Sequence, residues 1–159
     1  VPDQNPRIRS RGKGLPSRTG CRFEADVSQP ILLDASCVLA WAFDESGAQL
    51  VETVLSTAYI TSVNLTEVVD KLERRGDEGI EFATDLIAWG LTVVPFGWPH
   101  MSSLGRIHDA QKHANSRKRL SLGDRCCLAY GIYQEMKIWT TDSEWLALDL
   151  VADIEFIRD

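Results

Sequence analysis

The chain has 159 residues, of which 44% are hydrophobic and 25% charged, and its formal net charge is −6. This length and composition are typical of one globular domain with a full core. No apolar run approaches 18 residues, so we expect no membrane span. The negative charge disfavours non-specific binding of nucleic acid by charge alone, and a polyanion would need a metal ion or a local basic patch.

Residues 1–29 differ in composition from the rest of the chain. They contain scattered Pro, Gly, Ser and Arg with few large apolar residues, and their net charge is +3 against −9 for the remainder. We predict an irregular basic tail, either native or an expression remnant, with a nucleic-acid- or partner-binding arm as the alternative. Residues 30–159 are predicted to form a single domain.

Short apolar runs alternate with amphipathic segments from Ile31 onward. The pattern predicts five strands, at residues 31–35, 59–63, 91–96, 137–141 and 153–157. Between them it predicts a turn or short helix and six helices, at residues 38–43, 44–55, 65–75, 78–89, 101–119, 122–135 and 143–150. Strands that alternate with helices indicate a parallel sheet covered on both faces. We therefore predict the α/β class, as a three-layer α/β/α sandwich around a parallel five-stranded sheet.

The four cysteines, Cys21, Cys37, Cys126 and Cys127, show no CxxC spacing. This favours buried thiols in a reducing cytoplasm over a zinc site or a disulfide framework. His108 falls on the apolar side of its predicted helix, which favours packing or an interface over a role as a metal ligand.

Four acidic residues lie where a predicted strand leads into a helix: Asp34, Glu67, Asp124 and Asp142. The carboxyl ends of parallel strands form one rim, where ligands bind. Four carboxylates there would repel one another unless a cation joined them. Oxygen ligands select hard cations such as Mg²⁺ or Mn²⁺, and such an ion can orient a phosphodiester and acidify a water molecule. The pattern therefore points to a divalent metal and to phosphate chemistry.

Each carboxylate also has a purely structural explanation. The segments Asn64-Leu65-Thr66-Glu67 and Ser121-Leu122-Gly123-Asp124 both have the spacing of a helix capping box. Asp142 fits an N-cap, and Asp34 fits a turn residue at the end of a strand. Capping and metal binding are compatible, because the positive end of a helix favours an ionised carboxylate.

Together these segments resemble the PIN-domain ribonucleases, and most of all the VapC toxins of prokaryotic toxin–antitoxin pairs. Four short motifs in family order carry the resemblance: Ile31-Leu32-Leu33-Asp34-Ala35-Ser36, Asn64-Leu65-Thr66-Glu67-Val68, Leu120-Ser121-Leu122-Gly123-Asp124 and Trp139-Thr140-Thr141-Asp142. It extends from Ile31 to the end of the sequence. The first 29 residues depart from the family, whose members usually begin close to the first strand.

The resemblance implies an α/β/α sandwich and a metal-dependent endoribonuclease of the hydrolase class. It assigns the catalytic quartet to Asp34, Glu67, Asp124 and Asp142, and supporting hydroxyls to Ser36 and Thr140. Asp34, Asp124 and Asp142 would hold Mg²⁺ or Mn²⁺, with Glu67 as a further ligand or as the group that orients the attacking water. It also implies a homodimer and a VapB-like antitoxin that blocks the acidic pocket.

Two features are candidates for contacts with RNA. The basic residues Arg117, Lys118 and Arg119 precede the Asp124 loop, where they fit either phosphate contacts or a solvated helix end. Trp41, a few residues after Asp34, is the candidate for base stacking, although tryptophan usually belongs to a core or an interface.

The sequence thus predicts a PIN-domain endoribonuclease toxin that acts on RNA in the cytoplasm. One alternative is a non-catalytic PIN-like module that binds RNA or protein. A second is a phosphoacceptor domain or aspartyl phosphatase, which would need a second Asp beside the first strand. Ser36 stands at that position and disfavours it.

Overall fold

The computed structural model describes residues 29–114 and 119–158. Five strands lie in this part of the chain: β1 (Ile31–Leu33), β2 (Tyr59–Thr61), β3 (Thr92–Val94), β4 (Lys137–Thr140) and β5 (Ile154–Phe156). Six α-helices accompany them: α1 (Ala35–Ala42), α2 (Ala48–Val54), α3 (Ser62–Arg74), α4 (Gly79–Trp89), α5 (Leu104–His113) and α6 (Leu122–Gln134). Two 3₁₀ helices cover Trp98–Ser103 and Ser143–Ala147.

All five strands are parallel and lie in the order β3-β2-β1-β4-β5. β1 is central, with Leu33 opposite Trp139 of β4 and Leu32 opposite Tyr59 of β2. The chain builds one half of the sheet through β2 and β3 and then returns to build the other half through β4 and β5. The strand order therefore reverses beside β1, between β1 and β4. A crevice at the carboxyl ends of these two strands is the expected ligand position.

Helices cover both faces of the sheet, because neighbouring residues of each strand point to opposite sides. Leu33, Ile60 and Trp139 belong to one core with helices α1 to α4. Leu32 and Ile138 belong to a second core with α5, α6 and the Ser143–Ala147 helix. The predicted three-layer α/β/α sandwich with a parallel five-stranded sheet is confirmed.

Several boundaries differ from prediction where a strand passes directly into a helix. α1 begins at Ala35, inside the predicted first strand, because Asp34 already caps it. α3 begins at Ser62, because Thr61 at the end of β2 is its cap. The predicted helix at residues 101–119 is a 3₁₀ helix followed by α5, which ends at His113.

Three further predictions are tested by the described residues. Cys37, Cys126 and Cys127 are free and buried, as predicted, whereas Cys21 lies outside the described residues. His108 is exposed, so its predicted packing in the core is wrong, whereas a role at an interface stays a prediction. No helix in the described part of the chain is both long and apolar enough to cross a membrane. The predicted tail falls almost wholly in residues 1–28, outside the described residues, and the domain division at residue 30 stays a prediction.

Gly131 lets α6 pack closely on the sheet. A Cβ atom at this position would lie 2.5 Å from Ile138 Cγ1 and 3.4 Å from Leu32 Cδ2, and both of these side chains are fully buried. We therefore expect Gly131→Ala to lower the free energy of unfolding by about 1–3 kcal/mol through overpacking. Urea denaturation would measure the change.

Gly105 in α5 provides the matched control, because a Cβ there meets no atom within 4 Å. Gly105→Ala should stabilise the protein by about 0.5–1 kcal/mol, since alanine favours a helix over glycine. Equal effects of the two substitutions would contradict the close packing at Gly131.

Candidate active site

Asp34 lies at the carboxyl end of the central strand and is only 2% exposed. It is the N-cap of α1, where its Oδ2 accepts hydrogen bonds from Ser36 N at 3.2 Å and Ser36 Oγ at 2.6 Å. Its own backbone N–H donates to Trp139 O of β4. The carboxylate therefore lies beside the point between β1 and β4 where the strand order reverses.

Two hydroxyl groups connect this carboxylate to the end of β4. Ser36 Oγ accepts from Thr141 N at 3.1 Å, and Thr140 Oγ1 lies 3.5 Å from both Asp34 Oδ2 and Ser36 Oγ. Thr140 Oγ1 also accepts from Asp142 N at 3.1 Å. The structure thus places the two predicted hydroxyl residues against Asp34, between β1 and β4.

Asn64 is a site residue that the sequence did not reveal. Its side chain is fully buried, and Nδ2 donates to Asp34 Oδ1 at 3.0 Å and to Gly123 O at 3.3 Å. Sequence spacing had suggested Asn64 as a helix cap, which is wrong because Thr61 caps α3. The signal that could have found it is an amide on the buried side of α3, among leucines and valines.

Asp124 and Glu67 approach the site from α6 and α3. Asp124 forms the predicted capping box with Ser121, accepting from Ser121 N at 2.7 Å and donating from its own N to Ser121 Oγ at 3.0 Å. Glu67 lies further inside α3 than a capping box requires, so that prediction is wrong. Its carboxylate instead packs against Gly123, where any Cβ atom would overlap Glu67 Oε2.

Asp142 follows β4 and is the N-cap of the Ser143–Ala147 helix. Its Oδ1 accepts from Glu144 N at 3.1 Å, as the structural explanation of this residue predicted. Its backbone is held to Thr140, so Asp142 stands on the same rim as Asp34.

The charges of three of these carboxylates are coupled. The pKa of Asp34 is raised from 3.8 to about 6, chiefly by burial; hydrogen bonds from Ser36 oppose the rise, and the negative charges of Asp124 and, less, of Glu67 contribute to it. Burial also raises the pKa of the Cys37 and Cys127 thiols, and the charge of Asp34 adds to the effect. These cysteines stay protonated at neutral pH, so neither serves as a thiolate nucleophile.

The chemistry of this donor set fits a hard divalent cation. Asp34, Glu67 and Asp124 supply only oxygen atoms, and a cation would offset both the burial that chiefly raises the pKa of Asp34 and the repulsion that adds to it. Among residues 29–114 and 119–158, however, no three His, Cys, Asp or Glu side chains are close enough to share one ion. The metal set Asp34, Asp124 and Asp142 stays a prediction.

The candidate RNA contacts have different outcomes. Trp41 is 4% exposed and packs against Phe82 and Trp89, with ring centroids 6.0 and 5.4 Å away. Its predicted role in base stacking is wrong, because the ring is part of the core. Arg119 is exposed just before α6, whereas Arg117 and Lys118 lie outside the described residues.

Comparison with known proteins identifies similar sequences and folds. The family model of the PIN domain matches residues 31–150. No curated protein matches the chain in sequence. Among solved structures, a chain of the DNA-bound VapBC2 complex from Rickettsia felis is 16% identical, with a TM-score of 0.61 and coverage of 79% of this chain and 97% of that one. A chain of DNA-bound VapBC from Salmonella typhimurium is 16% identical, with a TM-score of 0.60 and coverage of 80% of this chain and 98% of that one.

A third similar structure is VapC20 of Mycobacterium tuberculosis, described as a toxin that cleaves the sarcin–ricin loop. It is 15% identical, with a TM-score of 0.56 and coverage of 76% of this chain and 96% of that one. At these identities the likeness shows a shared fold. The resemblance to PIN domains with a VapC-like fold, predicted from the four motifs, is confirmed.

The raised pKa of Asp34 predicts a pH dependence of stability in chelator. The folded state favours the protonated carboxyl, so the contribution of Asp34 is greatest below pH 3.8 and is lost as the pH rises to about 6. A shift of this size corresponds to about 3 kcal/mol. Denaturant titrations of wild type and Asp34→Asn at pH 4 and pH 7 should show wild type losing stability relative to the variant by about that amount. If the free energies of unfolding of wild type and Asp34→Asn changed equally between the two pH values, this prediction would be wrong.

Proposed function

The chain belongs to the PIN domain family, and on that premise we propose that it is a metal-dependent endoribonuclease, the toxin of a VapBC-type toxin–antitoxin pair. The single observation that carries this proposal is the buried Asp34 carboxylate at the reversal point of the sheet, coupled to Asp124 and Glu67. A group of carboxylates at a ligand-binding rim is suited to a cation and, through the cation, to a phosphodiester.

In this proposal Asp34, Asp124 and Asp142 would hold Mg²⁺ or Mn²⁺, and the ion would supply stabilisation of negative charge on the phosphoryl oxygens and acidification of a water molecule. Ser36 and Thr140 keep Asp34 in one orientation through their hydroxyl groups. Glu67, which rests against Gly123, orients the attacking water and takes its proton. Arg119, exposed before α6, contacts the phosphate backbone of RNA.

The proposed partners follow from the family and from the complexes that share this fold. Two of those structures are VapBC complexes, and we extend to this chain a VapB-like antitoxin that covers the acidic rim, together with a homodimeric state and a cytoplasmic location. A non-catalytic PIN-like module that binds RNA or protein is the alternative, and it remains if the protein binds RNA without cutting it.

Neutralising Asp124 should abolish RNA cleavage while leaving the fold intact. In Asp124→Asn the side-chain oxygen can still accept from Ser121 N, but the negative charge is lost. We expect the rate of cleavage of total cellular RNA to fall by about 10²-fold or more. The measurement is an RNA cleavage assay in Mg²⁺ or Mn²⁺, with the cut sites mapped and circular dichroism to check the fold.

Ser121→Ala serves as the control, because it removes the hydroxyl that Asp124 N donates to and leaves the charge in place. It should lower stability by about 0.5–2 kcal/mol and keep activity. Undiminished cleavage by Asp124→Asn, or by wild type in excess chelator, would refute the catalytic proposal.

Binding of Mn²⁺ should stabilise the protein in a pH-dependent manner. At a free concentration about 100 times its dissociation constant, a ligand that binds only the folded state adds about 2.7 kcal/mol. Because a proton occupies Asp34 below about pH 6, the stabilisation should be full at pH 7.5 and much smaller at pH 5. Melting curves with Mn²⁺ and with chelator at both pH values would measure it. An equal shift at the two pH values would exclude Asp34 as a ligand.

A further inference from the structure

The side chain of Asn64 joins three elements of the fold at one buried point. Nδ2 donates to Asp34 Oδ1 at the end of β1 and to Gly123 O in the first turn of α6. Oδ1 accepts from Thr61 Oγ1 at 2.5 Å, at the end of β2. Both polar atoms of the amide are therefore used, and the side chain has no exposed surface.

Helix capping does not explain this amide. Thr61 is the N-cap of α3, and Thr61 Oγ1 accepts from the backbone N–H of Asn64 at 3.1 Å. That bond needs no particular side chain at position 64. A buried amide costs about 1–3 kcal/mol unless it is hydrogen-bonded, so an apolar residue would serve the core better at a position without polar neighbours.

The contacts of Asn64 fix the relative positions of three acidic side chains. One oxygen of Asp34 is held by Asn64 and the other by Ser36, so rotation of the carboxylate is restricted. The Gly123 carbonyl that Asn64 binds belongs to the residue just before Asp124. Glu67 lies one turn after Asn64 on the same face of α3 and packs on Gly123.

A neutral donor suits this position better than a charged one. A Lys or Arg side chain would neutralise Asp34 and compete with a cation for it. An Asp at position 64 would add a further negative charge and could not donate. An amide orients the carboxylate through hydrogen bonds and leaves its charge for a ligand.

We propose that Asn64 is a positioning residue of the site: its amide orients the Asp34 carboxylate and ties the first turn of α6, which carries Asp124, to α3, so that Asp34 and Asp124 keep the relative positions in which they bind a divalent cation. The inference rests on the proposed function. Outer partners of metal ligands typically change metal affinity by about 10–100-fold when they are removed. Asn64 does not reach solvent, so its effect falls on the cation and not on contacts with RNA.

The test compares Mn²⁺ affinity in wild type, Asn64→Leu and Asn64→Ala, measured by electron paramagnetic resonance on protein whose fold is verified by circular dichroism. Leu has the branched shape of Asn and is somewhat larger, so Asn64→Leu leaves no cavity and guards against a loss of folding in the alanine variant. Val68→Ala is the matched control, because Val68 is fully buried one turn further along α3 and belongs to the core. We expect Val68→Ala to lower the free energy of unfolding without removing any contact of the candidate site.

We expect the Mn²⁺ dissociation constant to rise by about tenfold or more in both Asn64 variants and to be unchanged in Val68→Ala. Cleavage by the Asn64 variants at limiting Mn²⁺ should fall, excess Mn²⁺ should restore it, and KM for RNA should stay the same. If wild type binds Mn²⁺ and the Asn64 variants bind it equally well, the role of Asn64 is refuted and the proposed function stands. If wild type binds no Mn²⁺, the proposed metal site is refuted, and the role of Asn64 is refuted with it.

Discussion

Burial of the Asp34 carboxylate is the constraint on which the surrounding structure depends. A carboxylate with 2% exposure is costly unless hydrogen bonds replace its lost hydration. Donors come from Ser36, Asn64 and the start of α1, with Thr140 close by. Each of these donors is neutral, so the carboxylate is oriented by hydrogen bonds and not by a neighbouring positive charge. The pKa of Asp34 remains raised to about 6, chiefly because the group is buried.

Helix capping and the proposed chemistry use the same side chains. Asp34, Asp124 and Asp142 each bind backbone N–H groups at the start of a helix. Asp34 and Asp142 follow strands, whereas Asp124 lies in the first turn of α6, which follows α5 and not a strand as predicted. The capping bonds point each carboxylate toward its own helix, whereas a shared ion would require them to point toward one another. In the described part of the chain each of these carboxylates keeps its capping bond, and no three acidic side chains are gathered at one point.

The order of strands and helices could be predicted from the sequence because short apolar runs separate amphipathic segments. The starts of α1 and α3 could not, since Asp34 and Thr61 end a strand and cap a helix at once, with no loop between. Composition alone assigns such residues to the strand. The helix that follows Asp142 was predicted to reach residue 150, but it is a 3₁₀ helix that ends at Ala147.

The acidic residues of the candidate site could be chosen from their positions after strands, but their partners could not. Asn64 looked like a cap because its spacing from Glu67 fits a capping box, and only the packing of α3 on α6 shows that its amide faces Asp34. Trp41 is close to Asp34 in sequence, yet almost every face of α1 is buried, and two turns of helix carry the ring into the core. Proximity in sequence did not imply proximity to the rim.

The contact between Gly123 and Glu67 has an evolutionary consequence. A larger residue at position 123 would place its Cβ atom in the space of Glu67 Oε2, so the carboxylate would have to move for that residue to fit. A lineage in which this placement of the carboxylate matters would be selected to keep glycine opposite it. A lineage that lost the glutamate would be free to accept alanine or serine at position 123, and a glutamate that later returned to α3 would have to place its carboxylate elsewhere.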